Sequence, residues 1–181
     1  MHLHTTTLTT PAGPFTLLVD GDGGLCAAGF TAHGETLQRR LDRSRRAART
    51  RPAADPGGVA GAVRAYLEGE LEALDGIVVT QPGDPAQQAA WRALRSVPAG
   101  RTISYRQLGE LAGLADAATD PLGAQAAGAA CASNHAAVVV PCHRVLRSDG
   151  RLGGYGWGLP RKRWLLGHEA VPPALPGMAA V

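Results

Sequence analysis

The stretch Val138-Val139-Val140-Pro141-Cys142-His143-Arg144-Val145 organises this chain of 181 residues. Three successive valines are typical of a buried strand, which would place Cys142 at the strand's end. A cysteine acts as a nucleophile in its thiolate form, and a neighbouring base or cation lowers the thiol pKa from about 8.5. His143 is placed to accept the thiol proton if a third group orients its ring. Because cysteine is among the most buried residue types, an isolated Cys-His pair favours an inert core residue, and the surrounding sequence has to decide.

The composition indicates a soluble globular protein, with 45% hydrophobic and 18% charged residues. The length allows one good-sized domain, or a small domain followed by a medium one. No apolar run approaches the roughly 20 residues of a membrane span, and the N-terminus lacks the layout of a signal peptide. We therefore expect a cytoplasmic protein without a membrane partner. The three cysteines, Cys26, Cys131 and Cys142, have no CxxC spacing, which argues against a disulfide framework and against a zinc site.

The formal charge of +3 and the isoelectric point near 9.1 permit nucleic-acid binding without requiring it. Basic residues form two clusters. The first holds the seven arginines between residues 39 and 51, and the second is Arg161-Lys162-Arg163. We interpret the first cluster as the solvated face of a helix or a loop, which is the usual role of a charge run.

Residues 1–80 are predicted to form a small α/β domain, because apolar runs alternate with dense turn sequences such as Asp20-Gly21-Asp22-Gly23-Gly24. In the stretch 34–50, Leu37 and Leu41 stand four residues apart, which predicts a polar, arginine-rich helix. The predicted elements are a hairpin over 7–30, a helix over 34–50, a second helix over 59–74 and a short strand over 77–79.

The loop 81–84 is the predicted boundary to a mainly helical second domain over 84–170, which leaves 171–181 as a tail. A helix is expected from Asp84 or Pro85 to Val97, and Ser104 is a suitable N-cap for another helix up to Leu111. A linker leads from there to the small residues at 123–130. A helix, a turn and a second helix predict a helix-turn-helix. Because the second helix carries almost no side-chain bulk, it could approach either the protein core or the minor groove of DNA closely.

Several motifs around Cys142 resemble one family, the O6-alkylguanine-DNA alkyltransferases, which repair alkylated DNA. The resemblance is close over 84–170 and weaker over 10–17 and 65–71. It implies an α/β (α+β) protein, with a small ribonuclease-H-like domain ahead of the helical domain. The motifs are Ser104-Tyr105, Asn134, Pro141-Cys142-His143-Arg144-Val145, Gly153-Gly154-Tyr155-Gly156-Trp157-Gly158 and Arg161-Lys162-Arg163-Trp164-Leu165-Leu166-Gly167-His168-Glu169.

The resemblance implies direct and irreversible transfer of an alkyl group from O6-alkylguanine, and from O4-alkylthymine, in double-stranded DNA to Cys142. His143 would act through a water as the base, and Glu169 would orient His143. Asn134 would brace the turn that holds the cysteine, and Tyr105 would donate to the departing purine. The protein would work once, as a monomer, with no metal and no organic cofactor.

The same resemblance implies two further sets of residues. Val145 and the glycine-rich loop would supply backbone groups and one wall of the substrate pocket. Tyr155 would stack near the alkyl group, and Lys162 would assist at this wall. The implied substrate-binding residues are Val145, Tyr155, Gly156, Trp157 and Lys162. The implied DNA contacts are Gln125, Ala126, Ala127, Gly128, Ala130 and Arg144.

Four departures from the family pattern concern the approach to DNA more than the chemistry. Gln125 stands where the family usually has an arginine that fills the gap left by a flipped base, so attraction to phosphate is lost there. The stretch 118–123 reads as an insertion, and Asp116 and Asp120 add negative charge beside it. Ala86 and His135 replace a usual Phe and a usual Pro.

These departures keep two other functions open. One is an alkyltransferase-like protein that binds DNA lesions or regulates their repair. The other is a transferase or hydrolase that uses the same Cys-His-Glu relay on a bulky or non-DNA adduct. Cys142 argues against a pure binding protein, because binding gains nothing from a reactive thiol.

Overall fold

The computed structural model describes residues 2–114 and 121–170. The predicted tail 171–181, the acidic residues Asp116 and Asp120, and the first half of the predicted insertion 118–123 lie outside the described residues. Within the described ranges, no helix is both long and apolar enough to cross a lipid bilayer.

The N-terminal part is built on a four-stranded sheet with the strand order β3-β2-β1-β4. Strand β2 pairs antiparallel with β1 and β3, as the predicted hairpin requires, and β4 pairs parallel with β1. Both faces of β2 are covered, because Leu17 packs in the main core while Leu18 packs with Leu37 and Leu41 on the other face. The strands are β1 (His2–Thr10), β2 (Gly13–Asp20), β3 (Leu25–Gly29) and β4 (Arg49–Pro52).

The prediction of one helix over 34–50 is wrong. The segment forms the short helices α1 (Gly34–Gln38) and α2 (Arg43–Arg46) and then strand β4. Leu37 and Leu41 are buried, as their spacing indicated. The helix does not continue because Asp42 has extended backbone angles and its carboxylate accepts a hydrogen bond from the Arg45 N–H at 3.0 Å, which starts a new helix.

The second predicted helix, over 59–74, is too long by about two turns. Helix α3 (Val59–Leu67) ends where Gly69 takes a φ of +105°, a backbone conformation that suits glycine. Leu74 is still buried, but it lies in the turns that follow the helix. The predicted strand at 77–79 is reduced to one parallel bridge between Leu25 and Val79.

The C-terminal part is mainly helical, as predicted. Asp84 and Ser104 each form a capping box, so α4 and α5 begin where the sequence indicated. The elements are α4 (Pro85–Arg95), β5 (Ile103–Ser104), α5 (Tyr105–Leu111), α6 (Pro121–Ala132), β6 (Val145–Leu146) and α7 (Leu159–Ala170).

Helices α5 and α6 pack directly on each other. A Cβ atom on Gly109 of α5 would lie 2.8 Å from the Gly123 carbonyl oxygen of α6, so this crossing needs glycine. Ala127 and Ala130 of α6 are also buried in the core. Close packing inside the protein therefore explains the bareness of one face of α6. The helix-turn-helix assignment stays a prediction.

One hydrophobic core extends across the predicted domain boundary at 81–84. It contains Phe15 and Leu17 from the sheet together with Leu94 and Val140 from the C-terminal part. Backbone hydrogen bonds add to this contact, because Ala28 donates to the His135 carbonyl at 2.8 Å and accepts from the Ala137 N–H at 3.0 Å. The division into two domains stays a proposal, and the sheet packs directly against the turn that precedes Cys142.

Candidate active site

The valine run before Cys142 is a buried turn and not the predicted strand. Val138 has a φ of +71°, which branched residues rarely adopt, and Val140 donates to the Ala136 carbonyl at 2.8 Å. Cys142 then opens a single 3₁₀ turn, Cys142–Arg144. The run is buried as expected, because it packs against the core, but the chain reverses there. This reversal places the Cys142 side chain at the wall of a cavity.

Asn134 links the two ends of this turn. Its Nδ2 donates to the Val140 carbonyl at 2.8 Å and to the Cys142 Sγ at 3.2 Å, and its Oδ1 accepts from the Ala136 N–H at 3.0 Å. The contacts match the predicted bracing role. A hydrogen bond donated to sulfur also favours the thiolate over the thiol.

Cys142 lines a cavity of about 260 Å³. This volume lies just below the range of about 300–1,000 Å³ of drug-sized ligand pockets, so the cavity suits a single small ring system. The wall combines two tyrosine rings, a second cysteine and glycine backbone. The other lining residues are Tyr105, Gly128, Cys131, Ala132, Gly154, Tyr155 and Gly156.

A larger and more open cavity of about 770 Å³ adjoins the first and shares Tyr105, Gly128 and Gly154 with it. Its rim is basic and polar, and the exposed Gln125 of α6 lies there. The remaining lining residues are Ser104, Arg106, Ala124, Arg147, Ser148 and Gly153. The inner cavity thus opens toward a surface that α5 and α6 border.

Glu169 is the centre of a buried polar network behind Cys142. Its Oε1 accepts from Tyr66 Oη at 2.9 Å and lies 2.8 Å from His143 Nε2. Arg144 donates to both carboxylate oxygens, at 2.8 and 3.0 Å, and to the Val97 carbonyl at 2.6 Å. His143 is fully buried, and its Nδ1 has no hydrogen-bond partner among the described residues. With Nε2–H directed at Glu169, Nδ1 is the nitrogen that accepts a proton.

The pKa values of this network keep Glu169 charged and His143 neutral at pH 7. Burial opposes ionisation of Glu169, but the hydrogen bonds from His143 and Arg144 outweigh it and hold the Glu169 pKa well below its ordinary value. Burial lowers the pKa of His143, and Glu169 offsets only part of this effect. A neutral imidazole fixed by a carboxylate is suited to act as a general base.

The thiol and the two phenols at the cavity are protonated in the resting protein. Burial raises the pKa of Cys142, against the hydrogen bond from Asn134 and the charge of Lys162. Burial also raises the pKa of Tyr105 and, more strongly, that of Tyr155. Both phenols therefore remain hydrogen-bond donors at neutral pH. The thiolate has to be generated by proton transfer when a substrate is present.

Lys162 is fully buried and holds the glycine-rich loop over 153–158 from behind. Its Nζ donates to the carbonyls of Val145, Leu152 and Gly154. It does not line the cavity, so its predicted place at the substrate wall is corrected to a position behind the loop. Val145 is likewise buried and absent from the cavity wall, and its carbonyl accepts a hydrogen bond from Lys162.

Trp157 also points away from the cavity. Its ring packs on Gly29 of β3, where a Cβ atom would lie 2.1 Å from the ring, and the Arg40 guanidinium lies 4.9 Å from the ring centroid. The predicted substrate contact of Trp157 is therefore wrong. Its side chain fastens the loop to the N-terminal sheet, while Tyr155 and Gly156 of the same loop do line the cavity as predicted.

Three of the six predicted DNA contacts are corrected as well. Ala127 and Ala130 are buried in the core, and Arg144 is buried against Glu169, so none of them presents a surface to DNA. The other three, Gln125, Ala126 and Gly128, lie on exposed or half-buried positions of α6.

The residues predicted as the catalytic group lie at or next to the inner cavity. Tyr105 and Cys142 line it, Asn134 bonds to Cys142, and His143 follows Cys142 and bonds to Glu169.

Two residues of the site were not singled out by sequence reasoning. Tyr66 comes from α3, 103 positions before Glu169, and no local pattern connects them. Cys131 lines the same cavity as Cys142, and burial raises its pKa strongly. Cys131 and Cys142 stand eleven residues apart and are connected by a turn. Their spacing in the sequence therefore did not indicate that they share a cavity. Among residues 2–114 and 121–170, no cluster of three His, Cys, Asp or Glu side chains could hold a metal ion.

Comparison with known proteins agrees with this geometry. Residues 85–171 match the family model described as the DNA-binding domain of 6-O-methylguanine DNA methyltransferase. A methylated-DNA-protein-cysteine methyltransferase from Shigella flexneri is 37% identical over 164 residues, which cover 90% of this chain and 92% of the relative. One from Mycobacterium bovis is 37% identical over 172 residues, which cover 92% of each chain.

Solved structures of a relative show the same fold. The O6-methylguanine methyltransferase of Mycobacterium tuberculosis aligns with a TM-score of 0.72 at 33% identity and covers 96% of both chains. The structure of the M. tuberculosis protein in complex with DNA aligns with a TM-score of 0.73 at 32% identity, over 94% of this chain and 93% of that one. By sequence, fold and the architecture around Cys142, this chain belongs to the family of methylated-DNA-protein-cysteine methyltransferases.

Proposed function

We propose that this chain repairs DNA by moving the alkyl group of O6-alkylguanine, and of O4-alkylthymine, to the Sγ of its own Cys142. One observation carries the proposal. Cys142 lies at the wall of a cavity of about 260 Å³, directly after a turn braced by Asn134, with the buried His143–Glu169 pair behind it. A nucleophile, a base and a group that orients the base are thus held together in one place.

The substrate base has to leave the DNA stack to reach Cys142. Extrusion of a base into a pocket costs a few kcal/mol, and less for a damaged base. The outer cavity between α5 and the loop is where the duplex would lie, with Arg106 and Arg147 at its rim to meet phosphates. Exposed Gln125 would then stand at the duplex, where it can fill the gap by hydrogen bonding.

The transfer begins with the thiol proton, which passes through a water to Nδ1 of His143. Glu169 accepts the Nε2–H of the ring and stabilises the imidazolium that forms. The thiolate attacks the alkyl carbon, so the S–C bond forms as the C–O6 bond breaks. The electron pair of the broken bond stays on O6, and the Tyr105 hydroxyl, whose pKa is raised, donates a hydrogen bond to the purine as this charge develops. The proton that His143 took from the thiol balances this charge, and its return to the purine leaves neutral guanine.

The product is a thioether on Cys142. Thioethers carry no exchangeable proton and are poor leaving groups, and the relay supplies a base but no second nucleophile. Each protein molecule therefore acts once. The raised pKa of Cys142 fits this use, because a buried thiol is spared from side reactions until a substrate fills the cavity.

Intact-protein mass after incubation with duplex DNA that contains O6-methylguanine tests the proposal. We expect a gain of one methyl group, located on Cys142 by peptide mapping. Cys142→Ala should abolish the gain and retain DNA binding. Cys131→Ala is the matched control, since it removes the other thiol of the same cavity and should keep the transfer.

The opposite results have distinct meanings. Methylation of the Cys142→Ala variant would refute the nucleophile assignment. No mass gain together with retained binding to the lesion would favour a lesion-binding protein instead.

The DNA side of the proposal is tested at Gln125. Gln125→Arg adds a cation at an exposed position on the rim of the outer cavity. We expect tighter binding and a salt dependence steeper by about 0.9 in log–log slope, the value for one added phosphate contact. Unchanged affinity at low salt would show that Gln125 does not face the duplex.

We further propose that the protein acts as a monomer in the cytoplasm. Cys26, Cys131 and Cys142 are all free thiols, which suits a reducing compartment. A monomer also suits a protein whose acceptor residue, base and orienting groups all come from one chain. Sedimentation equilibrium across a range of concentrations would test the monomer.

A further inference from the structure

The segment 34–52 forms a strongly basic surface that the acceptor site does not use. It comprises α1, α2 and β4, and we call it the arginine face. Its seven arginines stand against two carboxylates, Glu35 and Asp42, which gives a local formal charge of +5. The whole chain carries only +3, so the rest of the protein has an excess of two acidic residues. The positive charge of this protein is therefore concentrated on one surface.

Most of these arginines are exposed and form no ion pair within the described part of the chain. Asp42 is already engaged, because it accepts from Arg45 at 2.9 Å and from the Ser44 hydroxyl. The exposed arginines without a salt bridge among the described residues are Arg39, Arg40, Arg43, Arg46, Arg49 and Arg51. Like charges held close together repel one another, so this arrangement destabilises the free protein slightly and favours binding to a polyanion.

The arginine face is held by a buried frame and is not an unstructured loop. The Gln38 side chain donates to the carbonyls of Arg45 and Ala48, at 3.0 and 2.8 Å, and accepts from the Thr50 hydroxyl at 3.1 Å. Leu37 and Leu41 anchor the same segment in the second core cluster. One glutamine and two leucines thus fix α1, α2 and β4 relative to one another, so the backbone positions that carry the arginines keep their spacing.

One end of the arginine face touches the loop of the acceptor site. Arg40 lies over the Trp157 ring at 4.9 Å, and Trp157 follows Tyr155 and Gly156, which line the cavity of Cys142. The arginine face is therefore joined to the acceptor-site loop through Trp157, on the side of the loop that packs against the N-terminal sheet.

We propose that the arginine face binds the phosphate backbone of a second stretch of duplex DNA, beyond the segment that enters the outer cavity. The proposal rests on the proposed DNA-repair function. Guanidinium groups match phosphate oxygens in charge and in their planar, bidentate hydrogen bonding. The interaction is independent of sequence, since phosphates carry no base information. It would compensate for the missing charge at Gln125, because the N-terminal sheet supplies the attraction to phosphate that α6 lacks.

The salt dependence of binding to unmodified duplex DNA tests this proposal. The test variant replaces Arg43, Arg46, Arg49 and Arg51 with Gln, and the control replaces Arg64, Arg92, Arg101 and Arg163 with Gln. Both sets are exposed, and neither lines the two cavities. Removing one arginine–phosphate interaction should reduce the log–log slope by about 0.9, so the slope should fall by about 1.8 to 3.6 in the test variant and stay unchanged in the control.

A slope decrease of at least about 0.9 beyond that of the control supports the proposal, and a smaller one overturns it. The pair Arg49→Gln and Arg51→Gln serves as a second variant if the fourfold change disturbs folding, which the unfolding midpoint would reveal. The result does not depend on alkyl transfer, because only binding is measured. A failure of the proposed transfer chemistry would leave this measurement intact.

Discussion

Replacing Arg144 with Met distinguishes a structural role from the DNA contact that the sequence suggested. Methionine keeps most of the volume of the arginine stem but removes three hydrogen bonds, two of them to the Glu169 carboxylate. Breaking a buried ion pair by removing one partner destabilises a protein by about 3–5 kcal/mol. Because Glu169 keeps Tyr66 and His143 as partners, we expect the lower value.

A loss of about 3 kcal/mol should lower the thermal midpoint by roughly 6–12 °C in a chain of this size. Calorimetry of the purified variant measures this shift. The variant Glu169→Gln should destabilise by a similar amount, since it leaves the Arg144 charge buried without a carboxylate. The double variant should lose less than the sum of the two, by about 0.5–3 kcal/mol, because neither charge is then left alone.

The salt dependence of DNA binding provides the second measurement. A buried Arg144 makes no phosphate contact, so Arg144→Met should leave the log–log slope unchanged. If the Arg144→Met variant kept the parent's stability and its log–log slope fell by about 0.9, the structural role of Arg144 would be refuted. The result would instead support a contact between Arg144 and a DNA phosphate. Additive effects in the double variant would likewise refute the coupling between Arg144 and Glu169.

Three further predictions concern the turn, the loop and the response to acid. Asn134→Ala removes the hydrogen bond to Cys142 Sγ, so the thiol pKa should rise further and transfer at pH 7 should slow by about tenfold, the equivalent of roughly 1.4 kcal/mol. Recovery of the rate at higher pH would identify an effect on the thiol, and a loss that is equal at every pH would contradict it. Gly29→Ala forces a Cβ against the Trp157 ring and should destabilise by about 1–3 kcal/mol, whereas Gly21→Ala, with open space around it, should change stability by less than about 0.5 kcal/mol. The folded state lowers the pKa of both His143 and Glu169, so the unfolded chain binds more protons and stability should fall as the pH drops below about 6.5 and again below about 4.5. Denaturant midpoints measured from pH 8 to pH 4 that stay constant would show that neither group is coupled to folding.

The sequence predicted well wherever one local signal decided the structure. The capping residues Asp84 and Ser104 fixed the starts of α4 and α5, and dense turn residues marked the end of β2 and the start of β3. The structure joins the predicted catalytic residues in two pairs, Asn134 with Cys142 and His143 with Glu169, and their catalytic roles stay predictions. Short motifs with fixed spacing carry this information in the chain itself.

The errors came from contacts that only the folded chain creates. Arg144 resembles a surface cation in the sequence, but its burial depends on Glu169, 25 positions later. The valine run has the composition of a strand, yet the chain reverses there, with Val140 bonded to the Ala136 carbonyl and Val138 at a positive φ. The stretch 34–50 has helical spacing, but the Asp42 carboxylate accepts from the Arg45 N–H and so begins a new helix.

Lys162 is the only lysine among the 181 residues, and its side chain is fully buried. Lysine-directed reagents therefore meet no side-chain target in the native protein. A lysine-specific endoproteinase would cleave at this position only after α7 and the glycine-rich loop have opened, so its rate of cleavage under native conditions reports the free energy of that opening. Cleavage at this single residue thus measures how often the part of the chain around the acceptor cysteine opens.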